Sequence, residues 1–376
     1  VAELDLIRIL TDSQTGLIDP SLLERASTSI CRLRPLSPDH LAYADAPFPG
    51  VPSISDGAIA APEAPNGSAL ASVSGVIQPL GLLSTDAGVT DADMAALHDF
   101  WTRLHSLAGR ARDLGVKLMV DAEYASMQPI MDAMTLVLSR EFNRPTPGTE
   151  FKGPVIFGTY QSYLRRAPFL LDAAIRDAEA NGYALGIKIV RGAYFVKERK
   201  KWATEGRGGA DPIWPDKAAT DAAYNASVEK IVSTLARQTS GPTPATALSV
   251  VFATHNPQSV DLVLSQLERN GLATRTPGPD GVVDQDARLC LHSGLESKVF
   301  VAQLYGMRDD LTDRVVDTFE PGPLVALKYN AYGRLDEVLP FLARRAIENK
   351  SIMTGEGGAV VERKRVTDEL WRRLTR

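Results

Sequence analysis

The sequence predicts an α/β protein, a (β/α)8 barrel with a helical and irregular N-terminal part, and three observations carry that reading. Short apolar runs alternate with amphipathic helical stretches from Val73 onward, the pattern of parallel strands joined by helical crossovers. Five of the runs end in polar side chains, and a parallel barrel gathers its chemistry at the C-terminal ends of its strands. No GxGxxG motif follows the first run, which weighs against the runner-up, an open doubly wound sheet.

Taken in order, residues 1–33 have helical spacing, with Leu4, Ile7 and Leu10, then Leu22, Leu23 and Ile30, around a turn at Thr15–Gly16. Residues 35–72 are rich in Pro, Ala, Ser and Gly and read as a tether. The chain therefore divides into a helical and Pro/Ala-rich arm, residues 1–72, and a barrel domain, residues 73–376. In the barrel, strand 73–80 precedes helix 91–114, strand 116–121 precedes helix 127–142, and strand 155–159 precedes helix 163–180. Strand 184–190 is followed by helices 195–204 and 217–238, and strand 248–254 by helix 258–270. Strand 299–304 precedes helix 309–318, and strand 324–329 leads into a helix at 335–349. Seven units are countable; an eighth lies in the poorly patterned N-terminal part or is absent.

Composition narrows the function. A net charge of −5 argues against a nucleic-acid binder that relies on bulk positive potential. Cys31 and Cys290 form no CxxC pattern, so they give neither a disulfide framework nor a metal cluster, which suits a reducing compartment. No uncharged run approaches a membrane span. The chain opens on Val1 rather than Met, so a targeting segment is not visible in it.

The strand ends hold the candidate chemistry. Lys188 lies inside its strand, which runs straight into Arg191, Gly192, Ala193 and Tyr194. There the glycine permits close backbone approach to a ligand, and the Arg and Tyr offer a charge and a polar-tipped ring. Other strands end in Asp121 and Glu123 about Ala122, in Thr159, Tyr160 and Gln161, in Thr254, His255 and Asn256, in Gln303 and Tyr305, and in Lys328, Tyr329 and Asn330. Each has a plainer account: Asp121 and His255 as residues at helix starts, and Lys188 in a buried strand before an ordinary turn. The last helix carries an apolar stripe, Leu335, Val338, Leu339, Leu342 and Ala346, with Pro340 to kink or start it. Arg344 and Arg345 with Glu348 are either a solvated surface pair or a fork that clamps a carboxylate.

In their order and wording these blocks resemble the proline dehydrogenases. They are Asp121-Ala122-Glu123, Thr159-Tyr160-Gln161, Lys188 with Val190-Arg191-Gly192-Ala193-Tyr194, Thr254-His255-Asn256, Gln303, and Tyr329 ahead of Arg344-Arg345. The likeness is to the single-function mitochondrial type of eukaryotes and covers about residues 114–352. It implies a distorted, TIM-like (β/α)8 barrel that holds FAD noncovalently and oxidises L-proline to Δ1-pyrroline-5-carboxylate by hydride transfer to flavin N5. Electrons then pass to a membrane quinone, with peripheral association on the matrix side of the inner mitochondrial membrane. By the resemblance Asp121 and Lys188 are catalytic, with Lys188 beside flavin N5. Ala122, Gln161, Val190, Arg191, Gly192, Lys217, Thr254, His255 and Gln303 meet the cofactor. Arg344 and Arg345 grip the proline carboxylate, Tyr329 packs on the ring with its hydroxyl held by Asp121, and Tyr194 closes the pocket.

One departure stands out. The family carries a lysine on an early strand that also pairs with the carboxylate, and residues 73–83 contain none; Gln78 is the nearest polar candidate. Three alternatives stay open on the residues alone. The same machinery oxidises 4-hydroxyproline; Lys188 forms a Schiff base in an aldolase-type lyase; or the barrel binds a small acid without catalysis. No metal and no nucleic acid is expected.

Overall fold

The structure, a computed structural model, describes residues 8–10, 18–33, 89–145, 148, 151–205, 211–276, 284 and 287–330, with a few positions beyond (334, 339, 342–343, 364, 367 and 370–375). Two compact units divide the chain, Val1–Val250 and Val251–Arg376.

In the first unit a parallel sheet runs in the order β1 (Arg8–Leu10), β2 (Leu118–Val120), β3 (Ile156–Gln161), β4 (Gly186–Val190). Leu118 stands level with Arg8 on one side and Ile156 on the other, and Thr159 stands opposite Lys188. Leu118, Met119, Val120, Ile156, Phe157, Ile187 and Ile189 are all buried, as expected for parallel strands covered on both faces. β1 departs from the expectation: the spacing of Leu4, Ile7 and Leu10 predicts a helix, yet residues 8–10 pair with β2. Three residues fit either period, so the ladder offered by β2 decides. The expected strand at 73–80 lies outside the described residues.

Helix α1 (Pro20–Leu33) and helix α2 (Asp91–Asp113) build the core beside this sheet. Thr90 starts α2 with a capping box: its hydroxyl accepts from Asp93 N, and the Asp93 carboxylate accepts from Thr90 N. Leu97, Phe100, Trp101, Leu104, Ala108 and Ala111 follow at three- and four-residue steps and are buried, so one face turns inward. They pack with Leu22, Leu23 and Ala26 of α1 and with Ile130, Met134, Val137 and Leu138 of α3 (Gln128–Phe142). Full burial of a large apolar side chain stabilises by roughly 1.5–3 kcal/mol before entropy.

Asn143, fully buried at the end of α3, sets where the next strands begin. Its Oδ1 accepts the amides of Val155 and Ile156 at 2.9 and 2.8 Å, its Nδ2 donates to Ile156 O at 2.9 Å, and its own carbonyl accepts from Ala184 N. Helix α4 (Ala167–Asn181) starts four residues later than the expected 163, because Leu164 bridges to Ile213 and Arg165 N bonds Pro212 O. Helices α5 (Phe195–Glu205) and α6 (Lys217–Thr239) lead to β5 (Ser249–Ala253), whose Ser249 N donates to Leu185 O.

The unit boundary falls inside β5. In the second unit Thr254 N donates to Ala302 O, which sets β8 (Val299–Leu304) beside the end of β5, and β8 pairs in parallel with β9 (Ala326–Tyr329). Helix α7 (Pro257–Arg269) is capped by Asn256, and α8 (Asp309–Thr318) links β8 to β9. An antiparallel pair, β6 (Ala273–Arg275) with β7 (Leu289–Leu291), is an addition that sequence patterning omits, since three residues carry too little alternation to register. The succession is the expected α/β one, of the TIM-like barrel class, with helix α1 in the N-terminal part. Seven strands of its parallel sheet are among the described residues. The expected last helix lies outside them apart from residues 339 and 342–343, which are helical.

Candidate active site

Parallel register places the first group of site residues. Val120 stands level with Gly158 and Thr159 with Lys188, so Asp121, one step past β2, comes level with Thr159 and Lys188 on the same side of the sheet. The Lys188 ammonium donates to Asp121 Oδ1, and Thr159 Oγ1 lies 3.4 Å from the same oxygen. Both ionic side chains are mostly buried, 12% and 20% exposed. A pair held this far from water is costly to break by removing one partner, because the other charge is left stranded.

Gln161, buried at the end of β3, clamps the segment that follows Asp121: its Nε2 donates to Ala122 O at 3.3 Å and Glu123 O at 3.0 Å. The β3–β4 ladder runs one step past the strands, with Ser162 N on Val190 O and Tyr163 N on Arg191 O. Gly192 then takes φ +120°, and a Cβ there would sit 2.0 Å from the Tyr163 ring. The close approach inferred from this glycine is thus made by a buried tyrosine of the same unit.

Beyond the turn, Arg191 and Lys217 converge on one carboxylate. Arg191 Nε donates to Asp221 Oδ1 at 2.6 Å, Lys217 Nζ to Asp221 Oδ2 at 2.5 Å, and the guanidinium stacks 4.3 Å from the Tyr224 ring centroid. Burial works against the Asp221 carboxylate, but the bonds from Lys217 and Arg191 outweigh it and hold its pKa below the ordinary value. Lys217 itself is 80% exposed. Two cations against one carboxylate leave this patch net positive, and that donor set fits the pyrophosphate of a dinucleotide such as FAD. Tyr194 packs against Tyr124 with ring centroids 4.6 Å apart.

In the second unit Thr254 and Gln303 are buried. Gln303 Nε2 donates to Thr254 O at 3.3 Å, and its Oε1 accepts from Thr312 at 2.7 Å. His255 follows, its carbonyl accepting from Arg308 at 3.3 Å. Tyr329 ends β9 opposite Leu304, and its carbonyl accepts from Tyr305 N. Gln78, Arg344 and Arg345 lie outside the described residues.

The structure therefore brings Asp121 to Lys188, Gln161 to Ala122, and Arg191 to Lys217. Sequence reasoning passed over Asp221, Tyr124, Tyr163 and Glu198. The four-residue step from Lys217 to Asp221 was a legible signal; the other three contacts join segments far apart in the chain. Among the described residues no His, Cys, Asp and Glu group could hold a metal.

Comparison with known proteins supplies the family. A family model described as proline dehydrogenase matches residues 53–355, reaching well upstream of the expected onset near 114. The human protein named proline dehydrogenase 1, mitochondrial, is 34% identical over 272 residues, covering 72% of this chain and 38% of that one. Human hydroxyproline dehydrogenase is also 34% identical over 276 residues, covering 73% of this chain and 51% of that one. The chain thus spans about half, or less, of the length of these relatives. Among solved structures, proline utilization A from Bdellovibrio bacteriovorus inactivated by N-propargylglycine superposes with a TM-score of 0.51 at 19% identity, covering 68% of this chain and 22% of that one. That likeness bears on fold alone.

Proposed function

The chain belongs to the proline dehydrogenase family, and from that premise we propose that it oxidises L-proline to Δ1-pyrroline-5-carboxylate with bound FAD and delivers the electrons to a quinone. The observation that carries the proposal is the largely buried pair of Lys188, inside β4, with Asp121, one step past β2, together with the net-positive patch of Arg191, Lys217 and Asp221 that begins just past β4. Bound FAD supplies the hydride acceptor. Proline gives up a hydride from C5, the ring carbon next to nitrogen that does not bear the carboxylate, and a proton from the nitrogen, leaving the C=N bond of the product.

The chain's own groups orient and stabilise. Lys188 presents a preorganised positive charge, the kind of group that steadies negative charge as it develops, and Asp121 holds its ammonium in place. Gln161 fixes the backbone of Ala122 and Glu123; Arg191 and Lys217 would hold the pyrophosphate. The remaining assignments carried by the resemblance belong to the same proposal: Val190, Gly192, Thr254, His255 and Gln303 toward the cofactor, and Tyr194, Tyr329, Arg344, Arg345 and Gln78 toward the substrate. We propose too that residues 1–72 form an arm and residues 73–376 the catalytic domain. The mitochondrial relatives support a mitochondrial location for this chain, with peripheral contact to the inner membrane on its matrix side; no described helix is long and apolar enough to cross a membrane.

The test is spectroscopic. Purified holoprotein should absorb in the blue as a flavin and bleach when L-proline is added under argon; no bleaching defeats the reading. A second reading, 4-hydroxyproline as the preferred substrate, stands beside the first because the chain is equally identical to the proline and the hydroxyproline relative, and the two bleaching rates decide between them. Membership in this family leaves no support for the Schiff-base lyase or the non-catalytic acid binder.

A further inference from the structure

Outside the assigned residues, one buried carboxylate ties together two segments of the candidate site. Glu198, in the first turn of α5, is only 4% exposed. Its Oε1 accepts the Ala125 amide at 2.6 Å, and its backbone N donates to Tyr194 O at 2.9 Å. Ala125 closes the segment that opens with Asp121 and includes Tyr124, and Tyr194 closes the turn that opens with Arg191. The two tyrosine rings meet directly, centroids 4.6 Å apart. Gln161 holds the same segment from its carbonyl side, at Ala122 and Glu123. Five residues after β2 are therefore gripped twice, by a carboxamide from β3 and by a carboxylate from α5.

We propose that Glu198 is a positioning residue for substrate: through the Ala125 amide it holds the Tyr124–Tyr194 aromatic wall in register. A helix so close to its own N-terminus suits a carboxylate, but this one is turned away from its own helix to bond a neighbouring segment. The physical consequence is selective. Removing the carboxylate strands the buried Ala125 amide and frees the Tyr124 end of the segment. Asp121 keeps Lys188 and Thr159, and Ala122 and Glu123 keep Gln161. The loss therefore falls on how firmly the substrate ring is held and largely spares the hydride step.

The inference rests on the assignment of Tyr194 to the proline pocket, and its test separates the two. In the holoenzyme, Glu198→Ala should raise KM for proline about tenfold while kcat stays within about threefold, with flavin content unchanged. Glu198→Gln, which keeps an oxygen at the acceptor position, should recover most of that loss. Should Glu198→Ala fail to fold, Glu198→Asp takes its place: the charge is kept, the reach is one methylene short, and KM should still rise. Hydrogen exchange of the peptide spanning residues 122–126 provides a readout independent of turnover, faster in Glu198→Ala and slowed again in Glu198→Gln. An unchanged KM in Glu198→Ala overturns the proposal, as does a Glu198→Gln protein as impaired as the alanine variant. If wild-type flavin does not bleach with proline but the exchange pattern holds, the functional reading fails and the Glu198 tie survives; if bleaching holds and exchange does not respond, the tie fails alone.

Discussion

At the scale of single residues, the site turns on which charges are paired. Lys188 keeps its ammonium on Asp121 in a largely buried setting, so Lys188→Met removes a preorganised charge and leaves a carboxylate without it. Flavin should still bind, since the patch of Arg191 and Lys217 is untouched, but single-turnover reduction by proline in stopped flow should slow by about 2–4 kcal/mol of barrier. Unchanged reduction kinetics would remove Lys188 from the chemistry. Asp221 gives a prediction in pH. Its folded pKa lies below the ordinary aspartate value of 3.8, so its ionised form stabilises the fold. That contribution is complete above the unfolded value and disappears as pH falls through the folded one. In urea unfolding, wild type should exceed Asp221→Asn by a constant margin above about pH 5 and lose that margin only below the ordinary aspartate range. A margin that instead changes near neutral pH would assign the effect to another group. Lys188 and Arg191 were legible as candidates because charged residues inside or just past an apolar strand are rare enough to notice, whereas Lys217 came from the family resemblance. Glu198 was not legible, because its partner Ala125 comes from another element, and of the Asp221 contacts only the four-residue step to Lys217 was, since Arg191 reaches it from outside its helix.

At the scale of elements, two positions decide where the strands and turns sit. Gly192 adopts φ +120° with the Tyr163 ring where a Cβ would go, so Gly192→Ala meets both backbone strain and a clash with a buried ring. We expect a loss of about 2–4 kcal/mol in unfolding free energy, read as a lower urea midpoint. A midpoint within experimental scatter of wild type would show that the turn relaxes freely. Asn143 works by hydrogen bonds alone: its side chain answers the Val155 and Ile156 amides and the Ile156 carbonyl in a fully buried place. Asn143→Ala leaves three backbone groups unanswered and should cost about 3–5 kcal/mol. A loss below about 1 kcal/mol would mean that water replaces the side chain. Sequence patterning placed the helices within a residue or two wherever a cap was present, as at Thr90, Asp216 and Asn256. It missed β1, β6 and β7, whose three residues carry too little pattern to register without the partner they pair with; β2, equally short, lies inside a longer apolar run.

At the scale of the whole molecule, residues 1–33 make the sharpest prediction. Leu22, Leu23 and Ala26 of α1 are buried in the same core as Trp101 and Met134, and Ser27 accepts the Ile130 amide. Deleting residues 1–33 should therefore lower stability by several kcal/mol, at roughly 1.5–3 kcal/mol for each large apolar side chain lost, and an unchanged unfolding midpoint would make this segment a passive appendage. The sequence by itself determined the alternation of strand and helix, the direction of the sheet and the strand ends where polar groups collect. Those are local properties: period, caps and composition act over a few residues of chain. It also carried the family, through short blocks whose order is a linear fact. What only the tertiary structure decided is pairing: that Lys188 lies on Asp121, that Asp221 serves both Arg191 and Lys217, and that Glu198 bonds Ala125. Each contact joins residues between 4 and 73 positions apart. Only the Lys217–Asp221 step falls within one helical turn. For the others, a side chain's partner depends on which strand neighbours which, and on the register between them, and no local pattern encodes either.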